Sequence, residues 1–180
     1  MTLVDHEIEK LCEEKGVIVP FDKAMLNPQS LDVRIGYTLK TENNWLKRCL
    51  TGQEFTTHDL TKYSESNPFW VSPLSFILTC TYETFNMPSN YSAEFRLKSS
   101  RGRSGWGHVL AVWIDGGFNN SKLTLELLNH RIWARQPIYP MMRIGQIVFA
   151  ETAYPRHDYS ETGRYNNDLD TQPAKPEKRI

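Results

Sequence analysis

The sequence predicts an all-β protein, mainly β with a short N-terminal helix, closed as a compact barrel or sandwich. Three observations carry that expectation. Strand-like runs recur at "FWVSPLSFILTCTYETFNMP", "SAEFRLKSS", "HVLAVWID", "KLTLELLN" and "RIGQIVFAETAY", and Pro, Gly, Asn and Ser separate them. Helical periodicity is confined to the N-terminus, and many short strands with little helix point to a barrel or sandwich. The length of 180 residues suits one domain with a sizeable core and is short for two.

Taken in order, Asp5 to Lys15 place Ile8 and Leu11, with Val4, at helical spacing among charged residues, and Gly16 follows as a C-cap. In "NPQSLDVRIG" Leu31, Val33 and Ile35 alternate with Asp32 and Arg34, which predicts a half-buried strand closed by Gly36. Asp32 and Arg34 are expected as a solvated or interface ion pair. Residues 41–68 are polar and aromatic without a clear period, so a loop with short strands is expected there. In "SKLTLELLNH" Leu123, Leu125 and Leu127 alternate with Thr124, Glu126 and Leu128, the period of a buried strand. Glu126 is the costly residue in it, because an ionised carboxylate among apolar neighbours must be paired or chemically employed. From position 158 the chain turns polar, and Gly163, Arg164 and Tyr165 are positioned to order over a ligand. One domain over 1–168 and a flexible C-terminal tail over 169–180 follow.

Lys plus Arg and Asp plus Glu balance at 21 each, which argues against a nonspecific nucleic-acid or membrane-surface binder. An anionic ligand must then be held by a local basic cluster. Cys12, Cys49 and Cys80 are odd in number and lack a CxxC pair, against a disulfide framework or a structural zinc site. No signal peptide and no membrane span is read, and a cytoplasmic location is expected.

The sharpest local signal is "RLKSSRGRSGWGH", residues 96–108, where Arg96, Lys98, Arg101 and Arg103 accompany two serines and three glycines. Serine hydroxyls, glycine-permitted N–H groups and arginine forks suit a polyphosphate, and a plain basic turn is an equal alternative. In "WIDGGF" Asp115 reads first as a turn-former. A strand, turn and return strand would nevertheless bring it near Glu126. His108, a lone histidine beside a glycine, is more often structural or exposed than catalytic.

Together these residues resemble the dCTP deaminase family within the trimeric dUTPase-like β-barrels. The likeness covers most of the chain: "LVDHEIEK", "NPQSLDVRIG", "KSSRGRSG", "HVLAVWIDGGF", "LTLELLN" and "MMRIGQIVF" stand in the family's order at near-family spacing. It implies a distorted β-barrel (β-clip), a homotrimer with active sites between subunits, and zinc-independent deamination of dCTP to dUTP and ammonia. It also implies Mg²⁺ with the triphosphate and dTTP as a possible inhibitor. Glu126 stands where the family has its general base, and Arg103, Ser99 and Ser100 where it contacts base, water and triphosphate. Lys98, Arg101 and Gly102 belong to the same loop. Ala111 matches the position whose backbone holds the base, Asp115 the one contacting deoxyribose, and Phe118 the aromatic beside the sugar. Thr124, Leu125 and Gln146 are further nucleotide contacts by resemblance, and Tyr159, Arg164 and Tyr165 match the tail that closes over the nucleotide.

The chemistry agrees with these roles. A carboxylate in a partly apolar strand has a raised proton affinity, as a group that accepts and returns a proton needs, and Arg103 is its expected partner. Zinc-dependent deaminases use H-x-E and P-C-x-x-C, which these cysteines do not supply. The sequence departs from the family in Lys98 for arginine, in Val112, in loop lengths around "SGWGH" and "FNNSK", and in Asp168, which would repel a triphosphate. Two alternatives remain: a bifunctional deaminase and dUTP diphosphatase that makes dUMP, and a nucleotide-binding trimer without turnover.

Overall fold

The computed structural model describes residues 1–111 and 113–176. α1 (Asp5–Lys15) forms as its periodicity predicts: Ile8, Leu11 and Cys12 are buried, and Glu7 Oε2 accepts from the Val4 N–H at 3.0 Å. Gly16, with φ of 59°, ends it by donating its N–H to the Cys12 carbonyl. β1 (Ile18–Val19), a short 3₁₀ turn, β2 (Leu26–Asn27) and the long β3 (Ser30–Glu42) follow.

Residues 41–68 contain more order than expected. α2 (Trp45–Thr51) is capped by Asn44, whose side chain accepts from the Lys47 N–H, and it ends at Gly52 in the left-handed region. It buries no residue, so no apolar stripe marked it in the sequence. β4 (Phe55–Asp59) completes this stretch, and β5 (Phe69–Val71) follows it. Then come β6 (Phe76–Phe85), β7 (Tyr91–Leu97), α3 (Ser99–Ser104), β8 (Trp106–His108), β9 (Trp113–Ile114), β10 (Ser121–Asn129), β11 (Gln136–Ile138), β12 (Arg143–Glu151) and α4 (Tyr159–Thr162). Among the described residues, no helix is long and apolar enough to cross a membrane.

The main sheet runs β8-β10-β6-β3-β12-β7-β9, with β1, β2 and β4 attached to β6 and β3, and β11 pairs with β5 separately. β3 joins its two halves: Leu31 to Arg34 pair with β12, and Ile35 to Thr41 pair with β6. The crossover passes through Gly36, where a Cβ would stand 2.9 Å from the Thr81 carbonyl oxygen. Only glycine allows that approach. The core fills the curl with Phe85, Phe95, Phe149, Leu31, Ile35, Leu125 and Leu127.

The expected polar face of β3 is not solvated. Asp32 and Arg34 are both buried, and they do not pair with each other. Arg34 donates Nε to Glu83 Oε1 at 2.6 Å and its backbone N–H to Oε2 at 2.9 Å, and its Nη1 lies 3.3 Å from Asp22. Asp32 accepts from Asn27 Nδ2 and from Lys98 Nζ, with Arg143 at 3.6 Å. The solvated ion pair of the sequence reading is thus two separate buried clusters.

A buried pair broken on one side leaves an uncompensated charge. Glu83→Ala is expected to lower unfolding stability by about 3–5 kcal/mol, measured by urea denaturation; a loss under 1 kcal/mol would refute the structural role of this pair.

Candidate active site

Glu126 lies on β10 directly opposite Leu78 of β6, and Leu128 lies opposite Phe76. The alternation that sends Leu125 and Leu127 into the core sends Thr124 and Glu126 to the other face, into a cavity of about 630 Å³. Phe55, Phe76, Leu78 and Leu110 give that cavity an apolar wall, and Asp115, Lys122, Thr124 and Asp168 are among its polar groups. Burial among these carbons pushes the Glu126 carboxyl up to about 7.

Within one chain the side chain in ion-pair range of Glu126 is His108, while Arg103 lies on exposed α3. His108 Nε2 stands 3.4 Å from Glu126 Oε2, and the His108 ring packs on Phe95 with centroids 4.7 Å apart. The imidazole is 5% exposed against 28% for the glutamate, and burial lowers His108 to about 4. The contact is within ion-pair range but lacks hydrogen-bond geometry, so His108 Nδ1, His108 Nε2 and Glu126 Oε2 are all buried without a bonded partner.

Asp115 lies in the same cavity as Glu126, but not by the expected pairing of neighbouring strands: β9 pairs with β7, and β10 with β6 and β8. Its Oδ1 accepts from Trp113 Nε1 at 2.9 Å, and its carbonyl accepts from the Phe118 N–H at 3.2 Å, closing the turn. A Cβ on Gly116 would fall 2.4 Å from the Ser89 carbonyl oxygen, which explains the glycine there. Phe118 is buried between Phe85 and Tyr159, at 6.3 and 5.7 Å between ring centroids. Tyr159, Tyr165 and Ala111 also line the cavity.

The other expected contacts lie elsewhere in the chain. Ser99, Ser100, Gly102 and Arg103 are exposed on α3 and do not line this cavity, nor does Arg101, whose Nε donates to the Arg143 carbonyl. Lys98 is engaged by Asp32. The Leu125 side chain is 0% exposed and belongs to the core, because its strand parity faces away from Glu126. Gln146, on β12 opposite Asp32, accepts from Ser30 Oγ at 3.4 Å. Arg164 donates to the Lys175 carbonyl at 3.3 Å. Val112 lies outside the described residues.

Within residues 169–176, Thr171 and Gln172 touch β3 and β10. Thr171 is 2% exposed and donates to the Thr38 carbonyl at 3.1 Å, and the Gln172 N–H donates to Thr124 Oγ1 at 3.1 Å. Gln172, Pro173 and Ala174 thereby form part of the cavity wall. Polar composition concealed this packing, which uses hydrogen bonds more than apolar burial. Asp168 is ion-paired with Lys175, which offsets the charge expected to repel a phosphate. Glu54, Phe55 and Trp113 also line the site without any periodic signal in the sequence, whereas Phe76 and Leu78 follow from pairing β6 with β10.

The family profile described as dCTP deaminase-like matches residues 2–152. The chain belongs to that family. It is 38% identical over 168 residues to a protein of Acidothermus cellulolyticus named "dCTP deaminase, dUMP-forming", covering 88% of this chain and 85% of that one. A protein of the same name from Tropheryma whipplei is 37% identical over 162 residues, covering 86% and 80%. Among solved structures, the 2′-deoxycytidine 5′-triphosphate deaminase of Agrobacterium tumefaciens aligns with a TM-score of 0.64 at 18% identity. That alignment covers 82% of this chain and 47% of the other, and it supports the dUTPase-like β fold expected from the sequence.

The raised Glu126 gives a pH signature. The folded chain holds a proton there between pH 4.5 and about 7 that the unfolded chain releases, so this stability is present below 4.5 and lost as pH rises through 7. His108 acts oppositely, its stability being lost as pH falls from 6.5 to about 4. Glu126→Gln is therefore expected to melt above the parent protein at pH 8, with the gap closing toward pH 4.5; calorimetry showing an equal gap at both pH values would refute the assignment.

Proposed function

We propose that this chain is a bifunctional deaminase and diphosphatase that converts dCTP to dUMP, ammonia and diphosphate, going beyond the dUTP that its sequence alone favoured. The observation that carries the reading is the presence of Glu126 and Asp115 in one cavity, the first in apolar surroundings and the second tethered at a turn. Relatives named "dCTP deaminase, dUMP-forming", at 38% and 37% identity, favour this outcome over a deaminase that stops at dUTP.

Glu126 takes a proton from water as the water oxygen bonds to C4 of the cytosine, and passes it to N3. It then carries the hydroxyl proton of the tetrahedral intermediate to the amino nitrogen. The C4–N bond breaks, ammonia leaves and the uracil carbonyl forms. A second water, oriented by Asp115, cleaves the bond between the α-phosphorus and its bridging oxygen to release diphosphate. The apolar wall of Phe76, Leu78 and Leu110 beside Glu126 keeps the carboxylate's proton affinity high.

Lys122 alone is a small cationic complement for a triphosphate. A homotrimer supplies more: α3 of a neighbouring subunit, with Ser99, Ser100 and Arg103 exposed, would complete the pocket as the family resemblance implies. Among the described residues, no three His, Cys, Asp or Glu side chains converge as a metal site, so Mg²⁺ in this reading is held by phosphate oxygens and screens their charge.

Purified protein incubated with dCTP and Mg²⁺ is expected to yield dUMP, diphosphate and ammonia by chromatography. Accumulation of dUTP would favour the single-step deaminase, and unchanged dCTP and dUTP would refute both. Glu126→Gln is expected to slow ammonia release by a factor on the order of 10²–10⁴ while dCTP still binds in calorimetric titration. Sedimentation should show a trimer of 20.9 kDa chains; a monomer would remove the shared site.

A further inference from the structure

His108 is a buried titratable group for which the proposed deamination steps supply no task. A histidine kept inside for packing has its ring nitrogens bonded, since buried polar groups seldom stay unpaired. Among the described residues both nitrogens lack a hydrogen-bond partner, and Nε2 faces a carboxylate oxygen that lacks one too, at 3.4 Å. Their backbones are held: His108 is registered opposite Leu127, and the Val109 N–H donates to the Glu126 carbonyl at 3.0 Å. Phe95 of β7 closes one side of the ring, and among the described residues Glu126 is the one acid in ion-pair range.

We propose that His108 is a positioning residue for Glu126, donating Nε2–H to Oε2 so that Oε1 is left to take the proton of the attacking water. An ionised carboxylate only accepts, so the nitrogen facing it must carry hydrogen, and Nδ1 is then the bare nitrogen of the neutral ring. This bond holds the carboxylate in one rotamer. It also stabilises the anion against the burial that favours its protonated form, so the proton can be returned to the substrate. The inference rests on the deaminase reading for its kinetic consequences and on geometry alone for the tautomer.

Nitrogen-15 NMR of the intact protein at pH 8 is expected to show His108 as the Nε2–H tautomer; the Nδ1–H tautomer overturns the proposal whatever the activity. In turnover with dCTP, His108→Phe is expected to lower kcat for ammonia release by about 10-fold or more with little change in KM. It should also move the acid limb of the kcat profile to higher pH, because loss of the donor raises the proton affinity of Glu126. His108→Gln, which offers an N–H near the place of Nε2, is expected to restore that limb. A limb unmoved in the Phe variant, or Gln and Phe variants equally impaired, overturns the positioning role. Should the Phe variant fail to fold, the Gln variant and the tautomer decide. If the parent protein turns over neither nucleotide, the deaminase reading fails, while the NMR result still accepts or rejects the His108–Glu126 bond.

Discussion

Arg34 and Glu83 tie β3 to β6 where water does not reach, and the position of the candidate site depends on that tie. The guanidinium and the backbone N–H of Arg34 both bind the Glu83 carboxylate, so orientation and register are set together. β6 then pairs with β10 and sets Leu78 opposite Glu126. A slip of one residue between these strands would turn Glu126 into the core and Leu125 into the cavity. Such a slip would cost both a buried charge and the apolar contacts of Leu125 and Leu127, so a structural ion pair and the core hold the reactive carboxylate in place.

The two glutamates show how partners decide what burial does. Glu83 is met by an arginine with two hydrogen bonds, and its desolvation is offset by attraction in a poorly screened interior. Among the described residues no cation pairs with Glu126, so desolvation outweighs the opposing backbone hydrogen bond and its proton affinity rises into the neutral range. The first arrangement suits a residue that must not change its charge. The second suits one that must accept a proton and give it back.

Charge is distributed unevenly between the chain and its expected ligand. The cavity of one chain holds Asp115, Glu126, Asp168 and Glu54 against Lys122, while serines and arginines cluster on α3 outside it. A triphosphate would find too little positive charge there. The tail offsets some of the acidity: Lys175 takes up Asp168, and Gln172 to Ala174 shield the cavity from one side. In the proposed function the remaining charge comes from Mg²⁺ on the phosphates and from α3 of a second copy of the chain.

By itself the sequence determined the β class, α1 and the buried strand with its misplaced glutamate. Those features are local, since period, caps and turn lengths depend on residues within about a dozen positions. α2, which buries nothing, and the tail, held by hydrogen bonds, left no periodic trace. Only the tertiary structure decided which partner each buried charge has. Arg34 found Glu83 across 49 positions, Asp32 found Lys98 across 66, and within the chain Glu126 came to face His108. Partner choice over such separations is set by strand order and register, which arise from the packing of the whole sheet and are written in no single stretch of the chain.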